Sequence, residues 1–263
     1  ELSWLVYGNI STLKNKVKEL NNGNIIRSAG GIYTVAKENE ALGSFYGYKV
    51  LGVFANTADV NLQKADGTNF KAGDYIIDDI NKDSRINEQD RQIIGSALPK
   101  AFGNFGTALG YKRFSFNALF TYAVGNDIYN SFNQQMHVMK DYANQSPEVE
   151  NRWISASNPG KGLSRAAYDD PSMNGAASDL WVEKGSHLRL KNITVSSDVP
   201  LPAGLRFFRA LNVYLSAENL ATFTKYTGFD PEVVTSSDPM LRGIDFGASP
   251  LSKSYILGLK VSF

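Results

Sequence analysis

The chain has 263 residues, of which 43% are hydrophobic and 12% aromatic, with 23 Gly and no Cys. A net charge of +1 with 20% charged residues argues against a nucleic-acid-binding face or an acidic tail. There is no run of about 18 apolar residues, so no transmembrane helix can be drawn, although alternating strands of about 9–11 residues cross a bilayer without one.

Frequent aromatics and glycines suit an all-β architecture, and the length allows one large domain or two ordinary ones. The absence of Cys fits passage through an oxidising periplasm and fits many cytosolic proteins as well. No signal peptide opens the chain: Glu1-Leu-Ser-Trp-Leu-Val-Tyr is strand-like from the start, so an exported product would be mature or would begin further upstream.

Leu2, Trp4 and Val6 alternate with Ser3, Leu5 and Tyr7, followed by Lys14, Lys16 and Lys18. Asn21-Asn22-Gly23-Asn24 reads as a turn, and extended segments are expected around Gly31–Val35 and Tyr46–Phe54. Residues 56–99 read as an acidic loop. The clearest hairpin lies at 102–124, where Phe105, Thr107, Leu109 and Tyr111 are followed, after Lys112-Arg113, by Phe114, Phe116, Ala118, Phe120 and Tyr122. Each strand places these residues on one face and Asn104, Gly106, Ser115 or Asn117 on the other.

Residues 125–184 form a long polar connection. A strand at 186–198 switches apolar phase between Leu190 and Ile193, which predicts a bulge near Asn192. Pro200 to Arg209 reads as a turn, Leu211 to Glu218 as a strand, and 224–251 as a second long loop. Tyr255, Leu257, Leu259, Val261 and Phe263 then share one face of the last strand. Long and short connections alternate, as in outer-membrane barrels with short periplasmic turns and long extracellular loops. With Phe263 at the periplasmic rim, counting back gives seven spanning strands and puts the turn at 21–24 inside. An odd number predicts at least one further strand upstream.

Several segments together resemble the carboxy-terminal part of SusC/RagA-type TonB-dependent outer-membrane transporters of Bacteroidetes. They are Gly43-Ser-Phe-Tyr-Gly-Tyr48, Asp79-Ile-Asn-Lys-Asp83 through Asp90-Arg91 and Ile94-Gly95, Arg152-Trp153, Ser178 to Asn192, Tyr226-Thr-Gly-Phe-Asp-Pro-Glu232, and Gly243-Ile-Asp245 leading to Phe263. The resemblance implies that residues 1–263 supply about seven carboxy-terminal strands of a barrel of about 22 strands. It implies import of large nutrients, glycans or peptides, and no enzymatic step. The implied partners are the remainder of the barrel and its plug, the TonB complex acting through an amino-terminal part, a SusD-like surface lipoprotein and outer-membrane lipid.

One segment carries metal chemistry in its spacing. Asp79, Asn81 and Asp83 stand at positions 1, 3 and 5 of a loop, Arg85 would offer its carbonyl at position 7, and Asp90 stands at position 12. This is the oxygen set that an EF-hand-type calcium loop provides. Ser84 replaces the usual Gly at position 6, and Asp90 replaces the longer Glu. The expectation is a structural calcium ion pinning an extracellular loop, and the alternative is a solvated acidic turn in which Asp and Asn cap backbone groups.

No nucleophile elbow, phosphate-cradling loop or His-Glu-x-x-His motif occurs, and His137, His187 and the pair Asp169-Asp170 form no catalytic set. Asn104, Asn117, Asn212 and Glu218 are expected to line the lumen. Tyr129, Phe132, Tyr142, Trp153, Tyr168 and Trp181 are expected mainly to pack the loops, with stacking on sugars or docking of the lipoprotein as the alternative. The rival fold and function is a soluble all-β surface-binding module or adhesin. It requires Phe114, Phe116, Phe120, Leu211, Val213, Leu257 and Leu259 to be buried between two sheets, whereas the barrel requires them exposed in a band about 25 Å tall.

Overall fold

The computed structural model describes residues 1–202, Gly204 and 207–263. Six long strands form one antiparallel sheet in chain order: β1 (Leu2–Thr12), β2 (Ala101–Tyr111), β3 (Phe114–Val124), β4 (His187–Val199), β5 (Ala210–Thr224) and β6 (Ser254–Ser262). The short connections lie at one end of the sheet, at Lys112-Arg113 and at 200–209; the latter turn falls partly outside the described residues. Three long segments, 13–100, 125–186 and 225–253, emerge at the other end.

The pairing register explains the two faces. One row across all six strands reads Trp4, Leu109, Phe116, Val195, Leu215, Leu257, and the next reads Ser3, Gly110, Ser115, Ser196, Tyr214, Gly258. Successive residues point to opposite sides of a strand, so the first row belongs to an apolar face and the second to a small or polar one. The apolar face is uncovered: Trp4 is 73% exposed, Leu215 56% and Leu257 76%. Burying each such side chain is worth about 1.5–3 kcal/mol, so a continuous face of them in water would drive association. Lipid is the solvent that satisfies it. The soluble-module alternative, which needs this face buried, is thereby set aside.

The bulge expected near Asn192 is present one residue earlier. Leu119 pairs with Asn192 but Phe120 pairs with Leu190, leaving Lys191 as the extra residue of β4. The β5 strand carries a compensating extra residue beside Asn219, whose φ is 52°. Leu190 and Ile193 therefore stay on the apolar face despite their odd spacing.

The spanning strands number six, not seven, and this correction removes the parity expectation of a further strand. The stretch after the 21–24 turn, counted as a spanning strand, instead contains Ile32–Ala36 and Ser44–Gly47, five and four residues long and largely buried on both sides. With Ile25–Ala29 and Gln92–Gly95 they form a small four-stranded sheet. A strand buried on both faces is not a wall between lipid and water. The turn at 21–24 consequently lies on the same side as the long segments, not on the side of the short turns.

The long segments are more folded than their polar composition announces. Asp127–Asn130 is the centre of a three-stranded sheet, pairing with Val182–Lys184 of its own segment and with Ile244–Asp245 of the third. Ile32 and Phe45 of the first segment, Tyr129, Ala177 and Trp181 of the second and Ile244 of the third share one core. Tyr48, Phe54, Leu62, Phe70, Ile77 and Ile86 make a second core within residues 48–86, the stretch that includes the expected acidic loop. A short helix, α1 (Ser131–His137), lies in the second segment, with Asn130 accepting the Asn133 N–H at its start.

Candidate functional site

The polar face of the sheet and the cleft at its loop-bearing end are the surfaces a solute could meet. Asn104, Asn117, Asn212 and Glu218 all fall on this face, as expected: Asn104 pairs with Asn9 and Thr121, Asn117 with Thr194, Asn212 with Asp198, and Glu218 with Asn192. Asn192, Thr194 and Ser216 are joined by side-chain hydrogen bonds of 2.8–3.1 Å, and Asn212 donates to Asp198 at 2.8 Å. The wall is polar and internally hydrogen-bonded.

At the loop-bearing end of β4 lies a charge cluster that sequence inspection missed. Arg189, only 2% exposed, donates to Asp230 at 2.5 Å and lies 3.3 Å from Glu232. His187 Nε2 is 3.6 Å from Glu232, while its Nδ1 faces the Gly185 carbonyl at 3.1 Å. Burial pushes the Asp230 carboxyl up, but the Arg189 hydrogen bond and the N–H groups of Glu232 and Leu251 outweigh it, holding the group below the usual carboxylate range. Glu232 is held low chiefly by its hydrogen bond with His187, against opposing burial, with Arg189 adding to it. The cluster ties the third segment to the barrel wall. Its only sequence signal was that Arg189 and Asp230-Pro-Glu232 both lie in segments that matched the resemblance.

Beside this cluster a cleft of about 810 Å³ opens between the wall and the folded segments, lined among others by Phe102, Thr121, Asn126, Glu232, Ser236 and Arg242. The Thr121 hydroxyl and the Asn126 carbonyl oxygen are buried there without a protein partner. Unpaired buried polar atoms are costly, and a solute or partner offering hydrogen bonds would relieve them.

The remaining charged pairs are structural. Asp74, fully buried, accepts from Arg165 at 2.7 Å and Asn174 at 3.0 Å, joining the first segment to the second. Asp245 accepts the Tyr226 hydroxyl at 2.6 Å; burial and this carboxylate push the phenol well up, so Tyr226 stays a neutral donor. Asp169 and Asp170 form a left-handed turn in which Asp170 accepts the N–H groups of Asn174 and Gly175. His137 is also accounted for, between the Asn133 carbonyl and Glu148. Among the loop aromatics, Tyr129 and Trp181 are buried, and Trp153 donates to the Ala55 carbonyl at 3.3 Å. Tyr142 and Tyr168 remain exposed as a pair of rings 5.6 Å apart.

The Asp79–Asp90 loop wraps on itself. Asp79 accepts the Ser84 N–H at 2.7 Å, Asn81 the Asp83 N–H at 3.1 Å, and Asp83 the Arg85 N–H at 2.7 Å. Lys82 and Ser84 supply the tight coil with φ of 59° and 63°, and Arg85 pairs with Gln63. Asp90 is fully buried and accepts from Ile80 and Asn87 at 3.1 and 2.9 Å. Asn81 and Asp83 are thus brought together, whereas Asp90 turns to the backbone; among the described residues no three carboxylates or imidazoles converge as a ligand set. One oxygen of Asp79 is buried and without a partner.

No family model matches the chain. Among curated proteins, TonB-dependent receptor P3 of Formosa agariphila is 30% identical over 281 residues, taking in 100% of this chain and 27% of the relative. TonB-dependent receptor SusC of Bacteroides thetaiotaomicron is 24% identical over 271 residues, covering 100% of this chain and 25% of SusC. The solved structure of the RagAB peptide transporter matches with a TM-score of 0.78 at 23% identity, over 99% of this chain and 27% of that one. This chain therefore spans about a quarter of the length of the curated relatives it matches. A sheet with one lipid-facing and one polar face, short turns at one end, folded loops at the other, and whole-chain similarity to these receptors lead to one assignment: the chain is a homologue of TonB-dependent receptors, SusC among them, and forms a segment of an outer-membrane β-barrel.

Proposed function

We propose that the six strands are one arc of a larger outer-membrane barrel that imports bulky nutrients, glycans or peptides, with energy passed through TonB and a SusD-like lipoprotein over its outer mouth. The observation that carries this reading is the two-faced sheet, apolar and exposed on one side, hydrogen-bonded and polar on the other. Its edge strands, β1 and β6, each have a neighbour on one side only, and unpaired strand edges are not tolerated in lipid, so further strands complete the ring. Solute would pass along the polar face, and the Thr121–Asn126 cleft would offer it hydrogen bonds. No bond in the solute is made or broken. The test is uptake of labelled oligosaccharides and peptides by cells with and without the receptor that carries this segment. Uptake that requires both the receptor and TonB is expected; uptake indifferent to deletion of the receptor for every solute tried would overturn the reading.

We also propose that the Asp79–Asp90 loop takes a structural calcium ion. Asp79, Asn81, Asp83, the Arg85 carbonyl and Asp90 would hold it, and the buried, unpartnered oxygen of Asp79 supports the reading. Asp79 accepts one N–H and Asp83 and Asp90 two each, so each carboxylate still keeps lone pairs for a hard cation.

A further inference from the structure

A groove of about 560 Å³ opens on the apolar face at the loop-bearing ends of β3, β4 and β5. Its floor includes Tyr122, Val124, Leu188 and Phe223, and Leu188 lies in register between Tyr122 on one side and Phe223 on the other. Lys184, just before β4, and Lys225, just after β5, stand at its outer margin. Val124 is 42% exposed and Phe223 62%, so the floor is open surface continuous with the lipid-facing rows below it.

The hydroxyls at this margin are already engaged. Ser186 accepts the Gly125 N–H at 2.9 Å, and Thr224 donates to the Ser186 carbonyl at 2.9 Å. Lys225 is not: it has no ion-pair partner among the described residues, and Lys184, although paired with Asp127 at 2.8 Å, is still 77% exposed. The stem of Lys100 packs against Gly125, next to Val124, so a third lysine stands close to this margin. His187 also borders the groove, but its ring is directed to the Gly185 carbonyl and Glu232. Glu183 is engaged with Asn130 and Thr227.

We propose that this groove binds a phosphorylated lipid of the outer leaflet, its acyl chain over Tyr122, Leu188 and Phe223 and its phosphate between Lys184 and Lys225. The proposal rests on the membrane reading above. An uncharged lipid leaves Lys225 without a counter-ion and Lys184 sharing Asp127 alone, and a free phosphate leaves the apolar floor uncovered. A lysine can lay its stem on apolar surface and lift its charge to headgroup level, where it gains from an anionic lipid.

The experiment uses the whole receptor carrying this segment, purified in detergent and titrated with diphosphorylated lipid A and its dephosphorylated analogue by native mass spectrometry. The phosphorylated lipid should bind more tightly, and excess inorganic phosphate should not displace it. Lys225→Gln, which breaks no ion pair among the described residues, should weaken binding roughly fivefold, and adding Lys184→Gln should weaken it roughly fivefold again. Phe223→Ser should weaken both lipids alike. Equal binding of the two lipids, an unaffected double variant, or displacement by inorganic phosphate would each overturn the proposal. Quenching by brominated lipids of the receptor reconstituted in vesicles, diminished in Trp4→Phe, separately checks the membrane reading: no difference between parent and variant sinks both readings, whereas a difference without phosphate discrimination sinks only the groove.

Discussion

Arg189 shows how one residue joins barrel to cap. It sits on the polar face of β4 at 2% exposure, held by Asp230 and Glu232 of the third segment, with its Nε buried and unpartnered. Replacing it with Met leaves two carboxylates facing a wall without a cation. Breaking a buried pair from one side costs about 3–5 kcal/mol, so Arg189→Met should lower thermal stability and expose the third segment to protease. The pH dependence follows from the carboxylates. Both have folded pKa values below their unfolded ones, so their stabilisation is fully present above the unfolded values, about pH 4, and is lost as pH falls through the folded values. Unfolding titrations from neutral to acid should show this loss below about pH 4 in the parent. In Arg189→Met, Asp230 loses the partner that does most to hold its pKa down, so the variant should be less stable at neutral pH and should lose less stability than the parent on acidification. The polar row around Asn117 and Asn104 was legible in the sequence because alternation alone assigns a face. The Arg189–Asp230 pair was not, because its members lie 41 residues apart and only the folded third segment brings them together.

Among the elements, the long strands could be read in detail and the loop sheets could not. A strand with one face in lipid and one in water must alternate, and the Lys191 bulge left its mark as a change of phase. Ile32–Ala36 and Ser44–Gly47 are apolar on both sides because their neighbours are other loop segments, and a short apolar run does not reveal which kind of burial it has. Glycines on the polar face carry a further register signal. Tyr214 lies against Gly258 and Tyr7 against Gly106, each opposite its glycine in the neighbouring strand, so that an added Cβ would collide with the ring. Gly258→Val should therefore destabilise the β5–β6 pairing by about 1–3 kcal/mol, and Tyr214→Ala should recover part of the loss. Heat-modifiable gel mobility of the refolded receptor measures both; an unaffected Gly258→Val protein would show that the ring is not a fixed part of the wall. In the first segment, the Asp79–Asp90 loop should respond to metal. Calcium at 100 times its dissociation constant should add about 2.7 kcal/mol and raise the melting temperature, with a chelator reversing it and Asp79→Ala abolishing it. No shift with calcium or chelator would leave the loop as a turn held by its own Asx–backbone bonds.

In the molecule as a whole, two solvents divide the work. The cap segments bury their cores against one another in water, as soluble domains do, while the strands leave their largest apolar side chains outside. The periplasmic end is marked by aromatics: Phe263 packs 5.5 Å from Phe207 and from Phe208, and Tyr111 lies opposite Phe114 at the neighbouring turn. Between this girdle and the lysines of the other end, Leu215 sits near the middle of β5, opposite Val195 and Leu257 on the apolar face. Asn117 occupies a comparable height on the polar face, opposite Ala108 and Thr194. A lysine at each position separates the two environments. At the bilayer midplane a lipid-facing Lys costs about 2–4 kcal/mol, whereas on a wet wall its ammonium stays hydrated. Leu215→Lys should thus lower the folded fraction in urea titrations against lipid vesicles by that amount, and Asn117→Lys by much less. In detergent-free aqueous buffer the order should reverse in solubility, because Leu215→Lys breaks up the exposed apolar row and Asn117→Lys does not. Equal costs at the two sites in vesicles would mean that the faces are not segregated between lipid and water. The import reading, which depends on that segregation, would fall with them.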